Sequence, residues 1–193
     1  MAITFPLSPP SPFRASRLSF TGLSSVSRNM SPFTMQTQQY NWPGQAWLAS
    51  VDCPPMTRAD AEAVISFLLS AHRGTFYFQD YANPTNRGGV TGTLTVATAT
   101  ANASTLIFSG ATGSFALGDW IQISTSLYKV VQVNSSSSVE VFPVIRSSYT
   151  AGTAITYANA KGVFRLASSS TEWSIDLASI YGINFSIVED VAT

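Results

Sequence analysis

Charged side chains are scarce in this sequence. They make up 10% of its 193 residues, whereas apolar residues hold 45%. Typical globular domains carry about 25% charged residues. Serine, threonine, asparagine and glutamine fill the polar positions instead. Freely soluble monomers usually carry more surface charge. The composition therefore favours a protein whose surface is largely buried against partner subunits, with an ordinary member of a low-charge family as the alternative.

Cysteine and histidine each occur only once, as Cys53 and His72. A lone cysteine excludes an intrachain disulfide and a cysteine metal cluster. Cys53 lies in a predicted strand, where a free cysteine is typically a small buried hydrophobe. His72 lies in the last turn of a predicted helix, where a capping or surface role is expected, and no triad motif surrounds it. The glycine-rich, nucleophile-elbow and zinc-binding motifs are also missing.

Paired carboxylates are the remaining route to catalysis, as in glycosidases. Asp60 and Glu62 are two positions apart on the predicted helix, so their side chains point to different sides. Glu189 and Asp190 are adjacent near the end of the sequence. Calcium-loop spacing of acids is absent as well. We therefore predict no catalytic, cofactor-binding or metal-binding residue, and we do not expect an enzyme; a β-rich hydrolase is the weakest alternative.

Aromatic residues are plentiful, with four tryptophans and seven tyrosines. Trp47, Trp120 and Trp173 each lie inside a strand pattern, which favours positions in the core. The alternative is a sugar-stacking platform on a serine- and threonine-rich β framework, as in a carbohydrate-binding module.

The net charge is zero, which argues against direct nucleic-acid recognition because phosphate binding needs a basic face. Arg14, Arg17 and Arg28 nevertheless precede the first acid, Asp52. They are surface arginines or, alternatively, partners for acids on a neighbouring subunit. No apolar run reaches the length of a membrane span, and residues 1–6 lack the features of a signal peptide. Neither a membrane nor an oxidising compartment is expected.

The first half of the chain is predicted to be extended before one helix. Four prolines make residues 1–15 an extended arm, which either packs on a neighbouring subunit or is a disordered leader. Strands are predicted near residues 16–21, 33–40 and 47–53, with a turn at Trp42-Pro43-Gly44.

The helix, residues 58–72, is the best-signalled element. Pro54-Pro55 ends the preceding strand, and Thr57 with Asp60 resembles a capping box. Gly74 supplies the stop. The spacing predicts one buried stripe, formed by Ala61, Val64, Ile65, Leu68 and Leu69.

The second half is predicted to be β throughout. A short strand at 75–78 precedes six short strands within residues 90–158, with glycine turns typical of a small barrel. These include a hairpin formed by 118–123 and 128–133, and a strand that Pro143 places at an edge or bulge. Strands within 162–191, around a connection at Tyr181-Gly182, would complete the first sheet. The predicted fold is mainly β with one α-helix: a split β-sandwich domain (1–89 and 160–193) with an inserted small β-barrel (90–159).

This arrangement resembles the distal tail proteins of long-tailed, siphovirus-type bacteriophages. The similarity is strongest across Asp52-Cys53-Pro54-Pro55-Met56-Thr57-Arg58-Ala59-Asp60-Ala61-Glu62-Ala63, and continues through 67–69 and 74–76. Two further stretches are similar to such proteins: Ser31-Pro32-Phe33-Thr34 and Gly118-Asp119-Trp120-Ile121-Gln122-Ile123. These motifs are structural rather than catalytic.

The resemblance implies a structural virion protein at the tail tip, made in the bacterial host cytoplasm. Distal tail proteins form a hexameric ring in which a belt domain closes the ring and a second domain projects outward. Its implied partners are copies of itself, the tail tube protein, the tail hub protein and possible receptor-binding or fibre proteins. A tail tube or other minor tail subunit is the alternative within the same class.

Overall fold

The computed structural model describes residues 3–11, 13–176 and 179–191. It confirms the mainly β, sandwich-like class with one helix and a small barrel-like sheet: two six-stranded sheets and helix α1 (Arg58–Ala71) make up the regular structure of the described residues. No helix in this part of the chain combines the length and apolarity that crossing a bilayer requires. The domain boundaries at 89/90 and 159/160 stay predictions.

The first sheet combines strands from both ends of the chain. Its strands are β1 (Arg17–Met30), β2 (Thr37–Asp52), β3 (Phe76–Gln79), β10 (Lys161–Leu166), β11 (Trp173–Ile175) and β12 (Tyr181–Glu189). Their order is β1-β2-β12-β10-β3, with β11 added beside β12, and every pairing between these strands is antiparallel. Alternate residues of β2 and β12 face the core, among them Val51 opposite Phe185 and Ala49 opposite Ile187.

The second sheet curls into a barrel. Its strands are β4 (Thr95–Thr98), β5 (Thr105–Ser109), β6 (Trp120–Ile123), β7 (Ser126–Ser135), β8 (Ser138–Phe142) and β9 (Ile155–Thr156), in the order β4-β5-β8-β7-β6-β9. The two end strands meet again, because Val96 donates to the carbonyl of Thr153 at 2.8 Å and Ile155 donates to Leu94 at 2.9 Å. The predicted hairpin is β6–β7. The strand before Pro143 is not at an edge as predicted: β8 lies between β5 and β7 and ends at Phe142, directly before the proline.

Helix α1 covers the core face of the first sheet. Ala61, Val64, Ile65 and Leu68 are buried as predicted, but Leu69 is half exposed, and Phe67 and Ala71 are buried in its place. Thr57 occupies the N-cap position without a capping hydrogen bond, and its hydroxyl instead donates to Asp60 Oδ2 at 3.4 Å.

Gly74 is required because the N-terminal arm approaches its backbone closely. A Cβ on this residue would lie 2.5 Å from the Phe5 ring, so the glycine makes room for the N-terminal arm. The described part of that arm, residues 3–11 and 13–15, is extended, as predicted, and it packs on its own chain. Leu7 forms a parallel bridge with Phe76, donating to Thr75 O at 2.9 Å and accepting from Tyr77 N at 2.8 Å. Phe13 packs against Phe78, Tyr81 and Phe185. The arm thus covers the β3 edge of the sheet.

Two predictions about the first sheet are wrong. The chain turns at residues 31–36, not at Trp42-Pro43-Gly44, and Phe33 and Thr34 lie in that turn rather than in a strand. Ser31 N donates to Gln36 O, and Met35 N donates to Ser31 O. Trp42-Pro43-Gly44 is absorbed as a bulge within β2: between the pairs Ser24–Gln45 and Val26–Asn41, β2 holds two residues more than β1. Bulges accept proline because their backbone leaves the hydrogen-bonding ladder.

The late part of the chain carries a further correction. Tyr181-Gly182 lies inside β12 rather than between strands. β11 and β12 pair with each other, and the Asp176 N–H donates to Ile180 O at 3.1 Å.

Candidate functional site: an exposed β-ribbon

The outer half of the β1–β2 hairpin projects beyond the sheet. β12 pairs with β2 only from Leu48 to Asp52, so the segment we call the ribbon, residues 23–46, is two-stranded. From Leu23 to Gly44 every residue is exposed except Ser31, which is half buried. At about 3.3 Å per residue the ribbon extends roughly 25 Å. An isolated two-stranded ribbon is only marginally stable in water.

The ribbon displays large apolar side chains to solvent. Phe33 is 94% exposed at its tip, and Met30 and Trp42 are 61% and 59% exposed. The other large apolar residues that it exposes are Leu23, Val26, Met35 and Tyr40. Scattered exposed apolar residues are normal, whereas a concentration of this kind is typical of interaction surfaces.

Only one charge interrupts this surface. Arg28 is the single charged residue of the ribbon. Its Nε donates to Gln39 Oε1 at 3.0 Å, and Gln39 Nε2 donates to Asn41 Oδ1 at 2.7 Å. Natural edge strands usually carry lysine or inward-facing charges, which prevent pairing with other chains. This ribbon is almost without that protection.

The backbone of the ribbon offers unpaired edges. β1 is the end strand of its sheet, and among the described residues no strand pairs with its outer edge. No strand pairs with the other edge of β2 from Thr37 to Gly44 either. Free N–H and C=O groups at such an edge are a template for an added strand.

An apolar groove adjoins the base of the ribbon. It has a volume of about 600 Å³ and is lined by Leu23, Pro43, Ala46, Val144, Ile145 and Val191, among others. The exposed ribbon surface therefore continues into a recess between the bulge and the barrel.

The base of the ribbon is anchored to the barrel by a buried ion pair. Arg146 Nη2 lies 2.5 Å from Glu189 Oε2, and Arg146 Nη1 donates to the carbonyl of Gln45. Trp47 N also donates to Glu189 Oε2, at 3.1 Å, while Gln45 Oε1 accepts from Val144 N at 2.7 Å. Burial raises the pKa of Glu189 above its ordinary value, more than Arg146 and Trp47 lower it. Sequence reasoning missed this junction because its members are far apart in the chain.

A second cluster missed from the sequence centres on Asp119. Its buried carboxylate accepts hydrogen bonds from the backbone N–H groups of Arg87, Gly88 and Ala116, at 2.7, 3.2 and 2.8 Å. Trp120, the next residue, donates from Nε1 to Asp80 Oδ2 at 3.0 Å. The Gly118-Asp119 motif thus fixes the loop between the first sheet and the barrel. All three donors are backbone N–H groups of this chain, so the Asp119 carboxylate has the structural role of holding the loop in place.

The residues weighed for chemistry from the sequence are dispersed. His72 lies at the helix end, with Nε2 2.6 Å from Thr171 Oγ1. Burial, and then the nearby Asp52, raises the pKa of Cys53 to about 11, so little of the nucleophilic thiolate forms at neutral pH. Glu62 lies on the exposed helix face, 3.8 Å from Arg58. No group of three or more metal-ligating side chains occurs within the described residues.

The neighbouring acids Glu189 and Asp190 have separate cationic partners. Glu189 pairs with Arg146, and Asp190 pairs with Arg165. Each carboxylate is therefore already engaged within the fold.

Two of the three tryptophans assigned to the core are there. Trp47 and Trp120 are buried and contact each other edge to face, with ring centroids 5.1 Å apart. Trp47 Nε1 also donates to Leu127 O of the barrel. Trp173 is exposed on β11, contrary to the prediction. The buried pair cannot serve as a sugar-stacking platform, because their rings join the first sheet to the barrel.

Comparison with known proteins assigns no family. No protein-family model matches the chain, and no curated protein matches it at a significant level.

Proposed function

We propose that this chain is a structural virion protein: a ring-forming distal tail subunit that connects the tail tube to the hub and host-recognition apparatus. The ribbon carries the proposal, because it combines exposed apolar side chains, one charge and two unpaired backbone edges. Covering such a surface with neighbouring copies removes apolar area from water. The similarity of segments 31–34 and 52–63 to distal tail proteins supplies the biological setting.

Charge scarcity supports assembly rather than catalysis. The cores of subunit interfaces are depleted in charged residues, as this ribbon is. Residues 31–34, one of the segments similar to tail proteins, form the turn at the tip of the ribbon. The most exposed apolar residue, Phe33, lies within it.

The test is the mass and shape of the purified full-length chain. Mass photometry and negative-stain imaging over a range of concentrations should show a closed ring, with six subunits expected from the resemblance. Stacking into tubes of unlimited length would favour a tail tube subunit. A strict monomer at high concentration, retained by a specific glycan, would replace the proposal with a carbohydrate-binding module.

Paired variants connect the assembly to the ribbon. Phe33→Ser/Trp42→Ser should weaken ring formation strongly while leaving the thermal midpoint of the dilute protein unchanged. The matched control is Leu117→Ser/Val131→Ser, which removes two exposed apolar side chains from the barrel. If the control weakens assembly as much as the ribbon variant does, the ribbon is not the contact surface.

A further inference from the structure

The chain carries a second exposed apolar surface, formed by the β11 strand and the residue that precedes β12. Trp173, Ile175 and Ile180 are 38%, 54% and 42% exposed. β11 pairs with Tyr181–Ile183 on one side, and no strand pairs with its other side among the described residues. We call this surface the β11 edge. Like the ribbon, it offers apolar side chains beside an open strand.

The two surfaces lie at opposite ends of the first sheet. β2 runs from the ribbon tip to Asp52, which pairs with Arg17 and Asn184. The chain continues past Asp52, with Cys53 N donating to Ile183 O and Met56 bridging Tyr181. β11 therefore lies past the Asp52 end of β2, and the ribbon lies at the opposite end of that strand. Along β1 the separation is roughly 40 Å at about 3.3 Å per residue, so one copy cannot cover its own β11 edge with its own ribbon.

Charge distinguishes the two surfaces. The first 51 residues contain Arg14, Arg17 and Arg28 and no acid, whereas the residues after Arg165 contain four acids and no lysine or arginine. Arg28 is the single charge of the ribbon, and Glu172 directly precedes β11. Both are exposed, and within the described residues neither forms an ion pair.

We infer that the ribbon of one copy docks on the β11 edge of the next copy, with Arg28 facing Glu172. The inference rests on the proposed function and identifies the two faces of its subunit contact. Because the faces differ, the contact is heterologous, and repeating it produces a closed ring or an open filament rather than a two-fold dimer. Strand addition would satisfy both open edges, while the opposite charges select this pairing over ribbon against ribbon.

Charge reversal tests the pairing. Arg28→Glu and Glu172→Arg, each alone, should raise the concentration for half-assembly about tenfold, because each places like charges across the contact. The double variant should assemble like the wild type. An equimolar mixture of the two single variants should also assemble, because copies that alternate around the ring bring opposite charges together at every contact. The effects should shrink in high salt.

The matched control is Arg58→Glu/Glu62→Arg on the exposed face of the helix, which should assemble normally. Circular dichroism and the thermal midpoint report whether each variant folds. A second measurement does not depend on charge: the double variant Arg28→Cys/Glu172→Cys should form a ladder of disulfide-linked oligomers under oxidation. Cys53 is buried and should contribute no cross-link.

Several outcomes would overturn the inference. Rings that form in the wild type but show no rescue in the double variant or in the mixture would refute this pairing and leave the proposed function standing. Disulfide dimers formed by Arg28→Cys alone would indicate ribbon-to-ribbon contact instead. A wild type that stays monomeric at all concentrations would remove both the inference and the proposed function. Binding of such a monomer's ribbon to phosphatidylcholine vesicles would not restore them, because the partner would then be lipid rather than a second copy.

Discussion

The barrel and the ribbon are built from similar residues and have opposite exposures. Both are antiparallel, rich in serine and threonine, and poor in charge. In the barrel the sheet curls until its end strands exchange hydrogen bonds, and its apolar residues, such as Leu106, Ile121 and Val139, face inward. In the ribbon, no third strand among the described residues pairs with the two strands, and only the base contacts the barrel. The difference shows that closure of the sheet, rather than composition, decides whether such strands bury their apolar side chains and pair their edges within one chain.

The largest contrast in the free energy of unfolding should come from phenylalanine, which occurs in both regions. Phe108 in the barrel core is 2% exposed, whereas Phe33 is at the ribbon tip. Phe108→Ala should lower the free energy of unfolding by about 3–5 kcal/mol, since it removes buried contacts and leaves a cavity. Phe33→Ala should change it by less than about 0.5 kcal/mol. Urea denaturation of the dilute protein measures both, and equal losses would show that the tip is buried in solution.

The junction between ribbon and barrel should give the next largest effect. Arg146→Met removes the buried partner of Glu189 and should cost about 3 kcal/mol, because the carboxylate is left uncompensated. The control is Arg146→Met/Glu189→Leu, which removes both charges and should recover much of the loss. Thermal and urea unfolding give the comparison. An unchanged single variant would mean that the ion pair does not hold the ribbon base.

Two glycines, one in the barrel and one in the ribbon, differ in how much strain an alanine would introduce. Gly110, which follows β5, has φ of +81°, and a Cβ there would lie 2.1 Å from Thr93 O. Gly110→Ala should therefore cost about 2 kcal/mol or more. In the ribbon bulge, the nearest atom to a Cβ on Gly44 would be Ser25 Cβ at 3.5 Å, an ordinary contact. Gly44→Ala should be neutral or stabilise by up to about 1 kcal/mol, as unfolding midpoints would show.

The smallest expected effect is a pH dependence of the free energy of unfolding, which arises at the Arg146–Glu189 junction. Because burial raises the native pKa of Glu189, the native state holds its proton more tightly than the unfolded chain does. The resulting stability is present below the ordinary glutamate pKa and is lost as pH rises through the native value. Relative to Glu189→Gln, the wild type should lose stability across this window. A wild-type profile parallel to that of the variant would contradict the raised pKa.

The sequence alone predicted most elements whose signals are local. The helix spacing predicted residues 58–72 against the observed Arg58–Ala71, and the hairpin predicted at 118–123 and 128–133 is observed as β6 (Trp120–Ile123) and β7 (Ser126–Ser135). Its errors arose where a local signal competed with long-range pairing. Trp42-Pro43-Gly44 favours a turn, but pairing of β1 with β2 on both sides of it absorbs these residues as a bulge. Leu69 fits the helical period, yet Phe67 and Ala71 are buried instead, and the Phe67 ring packs against Phe76 of the sheet.

What the sequence determined by itself was the mainly β class of fold, the helix that begins at Arg58, the scarcity of charge, and the presence of one cysteine and one histidine. These properties follow from composition and from periods of two or 3.6 residues, which are local. The tertiary structure decided which apolar residues are left uncovered and where they lie. Trp47 and Trp173 have similar strand patterns, but one packs between sheet and barrel and the other is exposed on β11. Only the tertiary structure separates them, because Trp47 packs against Trp120 and Phe142 of the barrel, whereas Trp173 is 38% exposed.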